Sequence, residues 1–168
     1  MKKILIYTAL GLSLGACSRG NNESQAALQK PLEFESISLQ RIACYGVCPV
    51  YSVEIQANGQ VTFLGEEFVK IKGKRQSSIP QADVELVSAA VRHVNFAEMN
   101  EAYVDPKDGC MDIPRDHPSL SISIVKKGKP KTVSFYTGCH GPTVPVERLE
   151  WLARTIDIMA RTASLVEE

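Results

Sequence analysis

Tyr51-Ser52-Val53-Glu54-Ile55-Gln56-Ala57-Asn58-Gly59-Gln60-Val61-Thr62-Phe63 is the stretch that decides the fold. Tyr51, Val53, Ile55 and Ala57 alternate with Ser52, Glu54 and Gln56, the period of a strand with one buried and one wet face. Asn58-Gly59 is a hairpin signal. A loop of those two residues alone would set Ile55 opposite Thr62 and Glu54 opposite Phe63, mixing the faces. A three-residue loop, 57–59, sets Ile55 opposite Val61 and Val53 opposite Phe63. One face is then wholly apolar, so the pattern predicts a type I turn closed by a left-handed Gly59 and a bulge.

The same alternation extends outward. Phe34, Ile37 and Leu39 mark an earlier strand ending near Ile42, and a further strand is expected near 68–72, with another to Ser78. Leu120, Ile122 and Ile124 alternate with Ser119, Ser121 and Ser123. A two-residue turn at Lys127 and Gly128 sets Ile122 opposite Val133 and Leu120 opposite Phe135. Val84, Val87, Val91 and Val94 recur at helical spacing behind Pro80, predicting a helix over 80–94. Valine is a mediocre helix former, so packing on a sheet must hold it. A last helix opens near Pro145, with Leu149, Leu152, Ile156 and Met159 as its stripe, widened by Trp151 and Ala153. Arg148, Arg154, Asp157 and Arg161 fall on or beside its wet side. The expected fold is α+β in the order β-β-β(-β)-α-β-β-α. An antiparallel sheet carries both helices on one face.

The N-terminal segment has another character. Lys2 and Lys3 precede an apolar run, Ile4 to Leu14, which is shorter than the roughly 20 residues a membrane-spanning helix needs and suits a signal peptide. It ends in Leu14-Gly15-Ala16-Cys17, which resembles a bacterial lipobox. The resemblance implies cleavage after Ala16 and a diacylglycerol on the Cys17 sulfur. Each buried CH₂ contributes about 0.8 kcal/mol, so several acyl chains hold a protein on a bilayer. Ser18 stands where an Asp would resemble an inner-membrane retention signal, which favours the outer membrane, facing the periplasm. Three regions are expected: signal peptide 1–16, lipidated Cys17 with a polar tether to residue 31, and one domain over 32–168.

The whole chain has 168 residues, 44% hydrophobic, with 19 basic against 19 acidic. Loss of residues 1–16 would remove Lys2 and Lys3, leaving 17 basic against 19 acidic, a net charge of −2 on 152 residues. Without a basic excess, nucleic acid is not an expected partner. The expected partners are the membrane, through acylated Cys17, and another envelope protein.

Five cysteines reduce to four once Cys17 carries lipid. An even number in an extracytoplasmic chain reads as two disulfides among Cys44, Cys48, Cys110 and Cys139. The hairpin register sets Thr137 opposite Pro118, bringing Cys139 to the loop that bears Cys110. Cys44 then pairs with Cys48. A rival reading makes Cys44 and Cys48 a thiol-redox or copper pair. The run Cys44-x-x-x-Cys48-Pro49 looks like the copper-binding segment of Sco-type chaperones, with His117 or His140 as third ligand. In that fold the cysteines open a helix, whereas Pro49 here precedes a strand. His117 and His140 should lie near each other, beside Asp112 and Asp116, where zinc is conceivable but matches no standard spacing. The run from Asp105 to Asp112 lacks the order of a calcium loop. His93 lies off the apolar stripe of its helix, on the surface. No cofactor is expected. The chain shows no phosphate loop, nucleophile elbow or His-Glu-x-x-His, so an enzyme is not the expected reading.

Ile37-Ser38-Leu39-Gln40-Arg41, Cys44-Tyr45-Gly46-Val47-Cys48-Pro49-Val50-Tyr51, Asn58-Gly59, Asp116 before Pro118 and the helix over 145–161 together resemble the bacterial family of domains of unknown function numbered 6438. The likeness covers about residues 33–164. It implies a fold grouping and singles out Cys44, Cys48 and Asp116, but implies no reaction. Cys17→Ala should move the protein from the membrane to the soluble fraction, followed by fractionation and immunoblot. Retention in the membrane would count against the anchor.

Overall fold

The hairpin loop at 57–59 sets the register of half the sheet. In the computed structural model, which describes residues 30–167, Gly59 takes φ +84° and donates its N–H to Gln56 O at 2.8 Å. Asn58 Oδ1 accepts from Gln60 N at 3.0 Å. β2 (Val50–Gln56) and β3 (Gln60–Glu67) therefore pair with Ile55 opposite Val61 and Val53 opposite Phe63, as expected. β1 (Ser36–Ile42) pairs with β2 on one side and with β6 (Ser119–Lys126) on the other, antiparallel to both. β6 and β7 (Lys129–Tyr136) are joined by the two-residue turn, with Lys127 and Gly128 both at positive φ, and set Ile122 opposite Val133.

With β4 (Gly73–Ser78) and β5 (Ala102–Tyr103) added, the full order across the sheet is β4-β3-β2-β1-β6-β7-β5. Two features depart from expectation. The sheet is mixed rather than wholly antiparallel, because β5 (Ala102–Tyr103) runs parallel to β7 at the edge. Two residues are too few to show alternation; buried Tyr103 holds them in place. The segment 68–72 is not a strand, and β4 is confined to Gly73–Ser78. The ladder shifts between Val50 and Tyr51, leaving Glu66 as an extra residue in β3. A Cβ on Gly65 would lie 2.0 Å from Ile71 O, and Phe68 has φ +51°, so the chain folds back on itself there before β4 begins.

Both long helices cover one face. α1 (Gln81–His93) buries Val84, Val87, Ala90 and Val91, and α2 (Val146–Ala160) buries Leu149, Leu152, Ala153 and Ile156. They close over Ile37, Leu39, Val53, Ile55, Phe63, Ile122, Val133 and Phe135. Each such side chain contributes about 1.5–3 kcal/mol on burial. The other sheet face carries Ser38, Gln40, Ser52, Glu54, Thr62, Ser121 and Ser123. Trp151 does not widen the apolar stripe; it is exposed and packs edge-on against exposed His93, ring centres 5.2 Å apart. α2 ends at Arg161, φ +59°, and a third short helix, α3 (Ala163–Val166), follows. Its Val166 and Leu165 carbonyls accept from Lys70 N and Ile71 N at 3.2 and 2.9 Å.

The two ends of the sheet differ. At the Ser36 end, Glu35 N donates to Val125 O and Glu35 O accepts from Ala57 N, at 2.7 and 2.9 Å. Glu33 accepts from Lys126 Nζ at 2.5 Å and from Arg92 at 3.5 Å, which together hold its carboxyl below the usual range. At the Ile42 end lie the connection to β2, the 68–72 segment, α3 and both disulfides.

A Cβ at Gly59 would approach Ile79 O to 2.5 Å, on a backbone conformation that L side chains resist. Gly59→Ala should cost more than about 1 kcal/mol in urea unfolding, with the slope unchanged.

Candidate functional site

Between β1 and β2 the chain makes a short excursion tied at its base. Cys44 and Cys48 are bridged, Cα atoms 5.7 Å apart and four residues apart in sequence. Pro49 then leads into β2. The bridge holds Tyr45 and Val47 outward, 90% and 78% exposed. Cys110 and Cys139 form the second bridge, Cα atoms 5.0 Å apart, and are buried. It is assembled where the register places it: Thr137 N donates to Pro118 O at 3.0 Å, and Asp112 and His140 exchange backbone bonds at 3.0 and 3.1 Å. Closing about 30 residues contributes about 3–4 kcal/mol in the chain-entropy model.

Beside the excursion lies a polar network that sequence reasoning missed. Ile37 and Leu39 point into the core, and the next residue on that face is Arg41. Its strand partner is Tyr51, which is 4% exposed. Arg41 donates through Nε and Nη2 to Asp157 Oδ2, at 3.0 and 2.6 Å. The Tyr51 hydroxyl donates to Asp157 Oδ1 at 2.8 Å and accepts from Arg41 Nε at 3.1 Å. Thr162, also buried, donates to Asp157 Oδ1 at 3.0 Å. Asp157 is thus not on the wet side of α2 but joins that helix to the central strand. Its place one residue after Ile156 hid this. The available signal was Arg41, a charge standing where alternation demands an apolar residue.

Burial, followed by the Asp157 carboxylate, pushes the Tyr51 phenol up to about 12. Burial opposes the Arg41 charge, but Asp157 outweighs it and raises the guanidinium further. Both Asp157 oxygens are occupied by donors. Burial and Asp157 thus keep the Tyr51 phenol protonated and the Arg41 guanidinium charged, so the arrangement presents a fixed donor and a fixed cation.

Two open clefts flank Arg41. One, of about 510 Å³, lies against Pro49, Ile158, Ala163 and Val166. The other, of about 470 Å³, is lined by His117, Thr137, Glu150 and Arg154. His117 donates its backbone N–H to Tyr136 Oη at 3.2 Å, and its ring stands edge-on to Tyr136 at 6.3 Å. His140 instead belongs to the Asp112 bridge. Among the described residues no hydrogen bond joins the two histidines. Asp116 is exposed, at φ +70°, outside the Arg41 network. Asp105 and Asp108 cap their own 3-10 turn, with Lys107 bonded to Asp105. Among the described residues no three His, Cys, Asp or Glu side chains converge to hold a metal ion. All four of these cysteines are in disulfides, and oxidised cysteines do not ligate copper or zinc. Cys17 lies outside the described residues.

Raising the folded-state pKa of Tyr51 means that its contribution is complete below about pH 10, the unfolded value, and is lost as pH rises towards about 12. Stability should therefore fall across that interval, and Tyr51→Phe should remove this phase. The same variant should cost about 1–2 kcal/mol at neutral pH, since Asp157 loses a donor. Absorbance titration of the phenol and denaturant unfolding at each pH read both effects.

Comparison with curated proteins returns no match. The model of one family, a domain of unknown function (DUF6438), matches residues 35–160, which contain the Cys44–Cys48 excursion, Arg41, Tyr51 and Asp157. The match spans the sheet and both long helices, and the chain belongs to the DUF6438 family.

Proposed function

We propose that this chain is a lipid-anchored protein of the bacterial cell envelope. Cys17 carries the anchor, on the outer membrane facing the periplasm. The folded domain is a non-enzymatic binding or assembly module for another envelope protein. The observation that carries this reading is the exposure of Tyr45 and Val47 on an excursion locked by Cys44 and Cys48. An aromatic held out rigidly loses little entropy on being buried by a partner, and exposed apolar side chains on a fixed loop are what interfaces use as anchors. Two disulfides in one domain suit an oxidising compartment. The fixed Arg41–Asp157 pair beside the loop supplies a polar flank.

A second reading is favoured by one contrast. Cys44 and Cys48 are only half-buried, whereas Cys110 and Cys139 are buried. A thiol-redox protein would expose its working bridge in this way. A partner dithiol would reduce Cys44–Cys48 to two thiols and itself become a disulfide; reduced, the pair could also take Cu(I).

A photo-crosslinking residue at position 45 of the full chain, expressed in its own cells, should give a discrete protein adduct that the same residue at Thr62 does not. Absence of any adduct specific to position 45 would overturn the binding reading. Thiol alkylation with intact mass, before and after a glutathione buffer, separates the readings: both bridges should remain closed and metal analysis should find none. Selective opening of Cys44–Cys48 would favour the redox alternative.

A further inference from the structure

Resting on the reading of this domain as a binding module, we propose that the cleft beside Arg41 takes the carboxylate of a peptide C-terminus whose last residue is aliphatic. The Arg41 guanidinium is held on one side only. Of its two hydrogen-bonding edges, the side edge, Nε and Nη2, is taken by Asp157 Oδ2. The end edge, made by Nη1 and the second hydrogen of Nη2, has no partner among the described residues. The side chain is 29% exposed and lines both clefts. Asp157, Tyr51 and Thr162 prevent it from turning, so the free edge is fixed in direction before any ligand arrives. Two parallel N–H groups at that edge match the two oxygens of a carboxylate.

What surrounds the edge narrows the ligand. The 510 Å³ cleft is walled by Pro49, Ile158, Ala163 and Val166, side chains that accept an aliphatic group, and by Tyr51, Asp157 and Thr162, whose polar atoms are engaged with one another and with Arg41. Arg161 and Glu167 also line it, and Arg161 Nη2 lies 3.8 Å from Asp83 Oδ2. On the other side of Arg41, Arg154 and Glu150 line the second cleft with opposite charges. An anion with an apolar group attached close to it satisfies both halves at once, as a C-terminal Ala, Val or Leu does. The cleft is an open trough rather than a tunnel, so it suits a chain end that continues outward rather than a long alkyl tail.

Titration calorimetry of the full chain in detergent tests this with N-acetyl-Ala-Val as probe, its C-terminal amide as control, and inorganic phosphate as competitor. The acid should bind saturably and the amide at least tenfold more weakly. Arg41→Lys keeps the charge but loses the paired edge, and should weaken binding at least tenfold. Ile158→Glu, at an exposed position of the wall, should do the same without altering the circular dichroism spectrum, which keeps the test sound if Arg41→Lys unfolds the domain. Equal binding of acid and amide, no binding of either, displacement by phosphate as effective as by the acid, or undiminished binding by a folded Ile158→Glu would overturn the proposal. The crosslinking result at position 45 stands apart from all of these. A position-45 adduct with no acid-selective binding would remove the carboxylate site and leave the binding module.

Discussion

Two charges at the rim of the core, Arg41 on the central strand and Asp157 on the last long helix, meet at 2.6 Å. Breaking such a partly buried pair by removing one partner is costly, because the other charge is left without compensation where water reaches it poorly. The pair therefore fixes how α2 lies over the sheet at one end, while apolar packing fixes it elsewhere. Tyr51 and Thr162 use the remaining capacity of the same carboxylate. The strand that follows the first disulfide, the strand that precedes it and the turn into α3 all converge on one aspartate. Packing alone tolerates small shifts between helix and sheet; a carboxylate with several donors at fixed angles does not.

The hairpins were legible because their two faces differ so sharply. Serine and threonine alternate with isoleucine, leucine and valine along β6, and only one register keeps those faces separate, so the pairing of Ile122 with Val133 follows from composition alone. The same register argument placed Cys139 beside Cys110. What escaped had a physical cause in each case. β5 is too short to carry a period. The 68–72 segment is rich in β-formers, but a bulge at Glu66 and a positive φ at Phe68 remove it from the ladder. Asp157 was hidden because helical periodicity sorts residues by hydrophobicity, and a carboxylate paired inward looks the same as one facing water. Trp151 shows the reverse error, an apolar residue left outside. The candidate site was half readable: the cysteine excursion stood out, while the Arg41 network required knowing that strand and helix meet.

The two disulfides divide their labour by depth. Cys110–Cys139 is sealed in the core and joins a long, polar segment to the end of a strand, so its effect is to restrict the unfolded chain. Cys44–Cys48 closes a ring too small for that effect to be large. Its consequence is local stiffness in a turn whose side chains have nothing to pack against. A loop with side chains as exposed as Tyr45 and Val47 would otherwise collapse or fluctuate.

The direction of β1 has a mechanical consequence. β1 begins at Ser36, just after the chain enters the domain, whereas the Tyr45 excursion and the Arg41 clefts lie at its Ile42 end, about 20 Å away along the strand. If the domain is held through its N-terminal side and gripped at the far end, tension runs lengthwise through β1. The hydrogen bonds to β2 and β6 cross that line, so both ladders are loaded in shear. They must give way together rather than open one rung at a time from an end. A protein strung between a membrane and a partner would thus carry the load on a strand paired along both edges.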